Sequence, residues 1–274
     1  LKQMFFRIAT WNINSIRLRL AQVFQYLDIF TADVLCLQET KCPDALFPVQ
    51  AFEAAGYKHI ALSGQKSYNG VAIISRLPFK SVEKRSFCQK EDCRYISVTV
   101  EVYGRDVRIH NFYVPAGGDV PDANVNEKFR HKLDFLEEMS LIRADQGDDL
   151  SSLLLGDLNI APLAEDVWSH QQLLKVVSHT PIETERLQAL CCQGGWIDLM
   201  RVRFPVPLKL YTWWSYRARD WALSDRGRRL DHVWSSPDLV PFMTDLAIFR
   251  AARGWNQPSD HVPVQTIFDF SRQV

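Results

Sequence analysis

No apolar stretch of the 274-residue chain approaches the ~18 residues that cross a bilayer. No charged segment followed by a pure apolar block stands at its start. Neither a membrane span nor a secretory leader is therefore expected. Cysteine is scarce: Cys36, Cys42, Cys88, Cys93, Cys191 and Cys192 form no C-x-x-C pair and have no histidine at zinc spacing. No N-x-[ST] sequon occurs. These absences favour reduced thiols and a cytoplasmic protein over a disulfide framework or a zinc centre. Glycine (12) and proline (13) are too few for a low-complexity or disordered chain. Neither sign of charge is in excess, 32 Lys+Arg facing 32 Asp+Glu, which argues against coating nucleic acid by bulk electrostatics. The P-loop, G-x-G-x-x-G, H-E-x-x-H and G-x-S-x-G patterns are all missing. Ser259-Asp260-His261 does not stand in for a hydrolase triad, because adjacent residues cannot form one.

Apolar residues make up 47% of the chain, enough for a substantial core. They fall in short runs of strand length: Phe6–Trp11, Val34–Leu37, Gly70–Ile74, Tyr95–Val102, Val107–Val114, Leu153–Leu155, Leu230–Trp234, Met243–Phe249 and Val262–Phe268. Residues 95–102 alternate, as a half-buried strand should. Helical spacing links Leu20, Val23, Phe24 and Leu27, then Val49 and Phe52 up to a stop at Gly56. A third stripe joins Phe129, Leu133, Leu136 and Met139 to Ile142, with Asn124 or Asp122 as its N-cap. Consecutive strands favour an α+β layered sandwich over a regularly alternating order. No linker or repeat divides the chain, so 4–274 is expected to be one domain. Leu1-Lys2-Gln3 ahead of Met4 reads as an expression-vector remnant.

Acids and amides interrupt the apolar runs at particular places. Asn12 and Asn14 close the first run, Gln38-Glu39-Thr40 the second, Asn111 and Tyr113 the fifth, and Asp157 and Asn159 the sixth. Asp231-His232 and Ser259-Asp260-His261 instead stand where strands begin. In a sheet with antiparallel pairs, exits and entries share a rim. Asn12, Glu39, Asp157, Asn159, Asp231, Asp260 and His261 are therefore expected in one pocket. Carboxylates converging there repel, and need a cation or raised pKa values. Oxygen ligands without clustered cysteine or histidine suit Mg²⁺ or Mn²⁺, which points to phosphate-ester chemistry.

Eight motifs in order carry a resemblance. They are Trp11-Asn12-Ile13-Asn14-Ser15-Ile16-Arg17, Leu37-Gln38-Glu39-Thr40-Lys41, Asn69-Gly70-Val71-Ala72-Ile73 and Asn111-Phe112-Tyr113-Val114-Pro115. Gly156-Asp157-Leu158-Asn159-Ile160-Ala161-Pro162, Thr212-Trp213-Trp214-Ser215-Tyr216-Arg217, Arg229-Leu230-Asp231-His232 and Ser259-Asp260-His261 complete them. Together they resemble the exonuclease III family of apurinic/apyrimidinic (AP) endonucleases, within the endonuclease/exonuclease/phosphatase superfamily that includes DNase I. Ser15 stands where that family more often has glycine, and Ser215 where aspartate is common.

The resemblance implies a four-layered α/β sandwich, two packed, mostly antiparallel sheets flanked by helices. It implies a Mg²⁺-dependent DNA repair nuclease that cuts 5′ of abasic sites and removes 3′-terminal nucleotides or blocking groups. Glu39 would hold the metal, in a set with Asn12, Asp260, Asp157 and Asn159. Asp157 would be the base, Asn159 a neutral phosphate donor, Asp231 the partner of His261, and Tyr113 a hydroxyl at the scissile group. Asn14, Arg17, Lys41, Trp213, Trp214, Tyr216, Arg217 and His261 would contact DNA. Eight Arg/Lys against three Asp over 201–231 supply a local basic patch despite zero net charge. The implied partner is double-stranded DNA with abasic sites or 3′ ends, met by a monomer in the cytoplasm or on the nucleoid. A phosphoinositide or sphingolipid phosphoesterase of the same superfamily, and an inactive DNA-binding scaffold, are the rival readings.

Overall fold

Strands buried on both faces read as unbroken apolar runs, and those runs build the centre of the fold. The structure, a computed structural model, describes residues 3–143 and 150–272. Leu1 and Lys2 of the expected remnant, and 144–149 and 273–274 of the expected domain, lie outside the described residues. The chain opens with β1 (Phe5–Asn12), α1 (Ile16–Ile29), β2 (Val34–Gln38), α2 (Val49–Ala54), β3 (His59–Ser63), β4 (Val71–Ser75) and β5 (Phe79–Lys84). It continues through β6 (Tyr95–Val102), β7 (Arg105–Tyr113), α3 (Glu127–Ser140), β8 (Ser151–Asp157), α4 (His170–Leu173), α5 (Pro181–Gln193) and β9 (Ile197–Asp198). It closes with α6 (Leu199–Arg203), β10 (Trp213–Trp214), α7 (Trp221–Ser224), β11 (Gly227–Arg228), β12 (Asp231–Ser235), β13 (Met243–Ile248) and β14 (Val264–Asp269).

Among the described residues, these strands form two six-stranded sheets, β13-β14-β1-β2-β4-β3 and β5-β6-β7-β8-β12-β9, with β10 and β11 as a separate ribbon. One pair in each large sheet is parallel, β1 with β2 and β7 with β8. Ile8, Val34, Cys36 and Ile73 of the first sheet share one cluster with Ile96, Val98, Val107, Leu153 and Val233 of the second. The first sheet's outer face packs Trp11, Leu35 and Ile74 against Val23, Tyr26 and Leu27 of α1 and Phe52 of α2. The second packs Tyr95, Phe112, Leu154 and Trp234 against α3 and α5. The result is the expected four-layered sandwich.

The strands absent from the sequence reading are edges. β3 and β5 end their sheets, and β5 carries Lys80, Glu83 and Lys84 on a largely exposed ribbon. Charge on an edge blocks further pairing and erases the apolar signal. The cap of α3 also differs from expectation. Asn126, whose side chain accepts from the Lys128 N–H, caps it, while Asp122 accepts from the Asn124 and Asn126 amides in the preceding turn. Helix α5 went unread although Thr180-Pro181-Ile182-Glu183 is an N-terminal signature, hydroxyl and carboxylate three residues apart with proline at the first turn.

Fully buried His232 on β12 bonds the Ile160 carbonyl through Nε2 at 2.8 Å. Burial first, then the Arg229 guanidinium, pushes its pKa down to about 3. The unfolded ring takes a proton below ~6.5 while the folded ring does not. Stability therefore falls as pH drops from that value towards the folded pKa. Urea titrations at pH 7 and 4.5 should show the native chain losing roughly 2–3 kcal/mol more than His232→Gln. Equal losses would clear His232 of this role.

Candidate active site

Two parallel pairs place four strand exits side by side. Asn12 is in register with Gln38 across β1 and β2, and Tyr113 with Asp157 across β7 and β8. Antiparallel β12 then sets its first residue, Asp231, opposite Asp157. The approach to β14 supplies His261, whose carbonyl accepts from the Trp11 indole at 3.0 Å. Beneath the rim, Gln38 Nε2 crosses between sheets to Asn111 Oδ1 at 2.7 Å, and Asn111 Nδ2 donates to the Leu37 and Ala72 carbonyls. Gly156 is needed one step earlier: at φ 140° it lies against β7, where a Cβ would meet the Phe112 carbonyl oxygen at 2.0 Å.

The acid cluster is held by neutral donors and one imidazole. The Asn12 amide nitrogen donates to Glu39 Oε1 and Asp157 Oδ2, each at 2.9 Å. Its oxygen accepts from the Asn14 N–H. The Tyr113 hydroxyl donates to the same Glu39 oxygen at 2.9 Å. His261 Nδ1 stands 2.8 Å from Asp231 Oδ2, and its Nε2 3.6 Å from Asp157 Oδ2. Burial alone would lower the His261 pKa, but the Asp231 and Asp157 carboxylates outweigh it and raise it. Burial raises Asp157, reinforced by Asp231 and Glu39 and opposed by His261 and Asn12. Tyr113 stays a neutral donor, because burial and then the Glu39 and Asp157 charges push its pKa well up. Asn159, at φ 53°, donates to the Val114 carbonyl and to Asp157 Oδ2, and its N–H closes a turn on Asp157 Oδ1.

Ligand-capable atoms of Asp157, Asp231 and His261 lie within 4.8 Å of one another. These three are already engaged with each other. Glu39 and Asp260 line the open cavity beside them, as does the more distant Asp119 of the loop after β7. Lys41 bridges the two through Asn14: its ammonium lies 2.9 Å from Glu39 Oε2 and 2.6 Å from Asn14 Oδ1, and Asn14 Nδ2 donates to Asp260 Oδ1 at 3.1 Å. Burial works against ionising Glu39, yet Lys41 and Asn12 hold its pKa below the ordinary value. An all-oxygen donor set with a cation already drawn to it fits a hard divalent ion.

Asn12, Glu39, Tyr113, Asp157, Asn159, Asp231, Asp260 and His261 thus converge as expected. Asn12 presents a nitrogen, not an oxygen, to the carboxylates. Among the expected DNA contacts, Arg17, Tyr216 and Arg217 are exposed, and Trp213 lines the cavity. Trp214 differs: it is 1% exposed, packs on Tyr211 and Trp221, and donates its indole N–H to Asp225. Strand pairing forces this, since adjacent residues of β10 face opposite ways. Lys41 is occupied by Glu39 and Asn14. Part of the basic segment is also structural, Arg201 and Arg229 being paired with buried Asp166.

One pair escaped the sequence reading. Lys132 of α3 is fully buried, 2.5 Å from Glu183 Oε1, and donates to the Asn159 carbonyl at 2.8 Å and that of Ala116 at 3.2 Å. Glu183 also accepts from the Ser178 and Thr180 amides. One ion pair therefore ties together the segments carrying Ala116, Asn159 and Ser178, all of which line the cavity. A lysine on the apolar face of a helix gives no sequence signal of its own partner.

Removing one member of such a pair strands a buried charge. Lys132→Met should cost about 3–5 kcal/mol in urea unfolding, and a loss under 1 kcal/mol would show the pair to be dispensable. Ser15 predicts the opposite sign. It holds φ 87°, a glycine-favoured region, and its side chain makes no cap hydrogen bond. Ser15→Gly should stabilise by about 1 kcal/mol, visible as a raised Tm; an unchanged or lowered Tm would refute strain there.

The Endonuclease/Exonuclease/phosphatase family matches residues 9–261. Exodeoxyribonuclease III of Haemophilus influenzae is 28% identical, covering 96% of this chain and 99% of its own. An AP endonuclease from Archaeoglobus fulgidus superposes with a TM-score of 0.88 at 31% identity, covering 96% of this chain and 99% of that one. A Neisseria 3′ phosphatase solved with a product DNA hairpin gives 0.87 at 31%, covering 97% and 100%. With two packed sheets whose strand ends gather this acid cluster, the chain belongs to the endonuclease/exonuclease/phosphatase family.

Proposed function

We propose that this protein is a metal-dependent DNA repair nuclease, hydrolysing the phosphodiester 5′ of abasic sites and at 3′ ends of duplex DNA. The carrying observation is the Asn12 amide shared between Glu39 and Asp157, with His261 of the Asp231–His261 pair facing the same Asp157 oxygen. One side of that arrangement suits a cation, the other an attacking water. Glu39 and Asp260, with Asn12 and Asn14 nearby, would hold Mg²⁺ or Mn²⁺. When bound, that ion supplies charge neutralisation at the phosphate and at the departing 3′ oxygen.

The chain's own groups perform the remaining work. Asp157 orients water for in-line attack and takes its proton as the new O–P bond forms. The P–O3′ bond breaks, and the departing 3′ oxygen takes a proton from solvent water to leave as a hydroxyl, the phosphate staying on the 5′ end of the downstream piece. His261, kept protonated and oriented by Asp231, donates from Nε2 to a phosphate oxygen. Asn159 offers an amide where a second carboxylate would repel the substrate. Tyr113 donates its hydroxyl beside Glu39. The reading is of a monomer with a single catalytic domain over 4–274. No helix among the described residues is long and apolar enough to cross a membrane. A DNA substrate suits work in the cytoplasm or on the nucleoid.

Abasic duplex, intact duplex and an inositol phosphate, each with and without EDTA, test this directly. Strand scission at the abasic site should vanish with EDTA, and inositol phosphate should stay intact. Asp157→Asn should lower kcat by at least about 10²-fold while DNA binding stays within about threefold. Scission indifferent to EDTA, or Asp157→Asn at near-native rate, would refute the reading.

A further inference from the structure

The cavity beside the acid cluster measures about 740 Å³, and Trp213, Arg217, Arg226 and Arg228 stand on its wall together with one rim acid, Asp119. Arg228 is the best-built of these cations. Its guanidinium lies 5.2 Å from the Trp213 ring centroid, directly across the β10–β11 pair. Its Nη1 donates to Ser178 Oγ at 2.8 Å and to the Val177 carbonyl at 3.1 Å. Trp213 is pinned in turn by its indole N–H on Asp260 at 2.9 Å. Both residues are thus fixed before any substrate arrives.

The neighbouring arginine shows what is missing. Arg229 is fully buried, with Asp166 and Asp198 on either hand. Arg228 has no carboxylate in ion-pair range and no protein acceptor for Nη2 among the described residues. Glu183, whose charge favours it from further off, is already paired with Lys132. A partly desolvated guanidinium on a substrate wall, without an acid of its own, is organised to receive an anion.

We propose that Arg228 is a specificity-determining residue, binding the phosphate on the 3′ side of the nucleotide whose 5′ phosphate is attacked. This rests on the nuclease reading above. An internal nucleotide carries a phosphate on both sides, whereas a terminal nucleotide with a free 3′-hydroxyl carries only the scissile one. A cation that binds this second phosphate therefore favours internal incision over terminal trimming. The bonds made and broken are unchanged, and Arg228 transfers no proton.

A methylphosphonate replaces that phosphate by a neutral group of nearly the same shape. The test compares kcat/KM on an abasic duplex, on the same duplex with methylphosphonate 3′ of the abasic sugar, and on a recessed 3′-hydroxyl end. The native enzyme should lose about tenfold on the methylphosphonate, the worth of one charge-assisted contact. Arg228→Gln should show under twofold difference, and its ratio of abasic incision to terminal trimming should fall by the same tenfold. Arg228→Lys, which keeps the charge, should retain at least about threefold discrimination. The proposal is overturned if the native enzyme ignores the methylphosphonate, if Arg228→Gln still discriminates, or if Arg228→Lys loses discrimination as fully as Gln. Failure of the native enzyme to cut any of the duplexes would instead refute the nuclease reading itself.

Discussion

Four carboxylates at one strand-end rim, two of them fully buried, cannot coexist unless each is answered. Asp157 and Asp231 face each other across β8 and β12, and the answer between them is the His261 ring. Burial would strip that ring of its proton, yet the two acids hold it in place. Glu39 and Asp157 are answered by one amide, because Asn12 donates a hydrogen to each. An aspartate at position 12 would add a fifth charge, and a leucine would take one donor away from each of two acids. The amide is the side chain whose geometry satisfies both.

That requirement fixes the backbone beneath it. Donors must sit within hydrogen-bond distance of acids from other strands, so the two sheets cannot slide. Gln38 and Asn111 lock them, spanning β2 to β7 below the rim. The Lys132–Glu183 pair does the same from the helix side, holding the carbonyls of Ala116 and Asn159 at once. A hydrophobic pair of equal volume would pack as well but would leave those carbonyls unmet. Polar burial here specifies position more than it adds stability.

Which parts of this were legible follows from the same physics. Central strands such as β2 and β4 are buried on both faces and announce themselves as apolar runs, so the rim residues that end them could be gathered from sequence. The edge strands are silent: β5 because most of its side chains meet water, and β3 because only one of its residues is fully buried. Trp213 and Trp214 look alike in sequence, and only the two-residue ribbon reveals that one lines the cavity and the other fills the core. Lys132 could not be paired with Glu183 across 51 positions, because helix spacing says which face is buried but not what waits there. Asn126 was overlooked for Asp122 and Asn124 because three capping residues lie within five positions, and the side chain that reaches the Lys128 amide depends on the turn.

The zero net charge takes on a different meaning once the partners are known. Sorting the 201–231 arginines by their acids separates two populations that composition merges. Arg201 and Arg229 spend their charge on Asp166 and Asp198 and are part of the frame. Among the described residues Arg217, Arg226 and Arg228 pair with no carboxylate, and they stand around the cavity. A chain with no excess charge can therefore still present a cationic wall, provided its acids are concentrated elsewhere. Four of them, Glu39, Asp157, Asp231 and Asp260, gather at the rim of the active site. The field across the cavity then runs from acids that attract a metal ion to arginines that attract a polyanion. A phosphodiester backbone is drawn between the two.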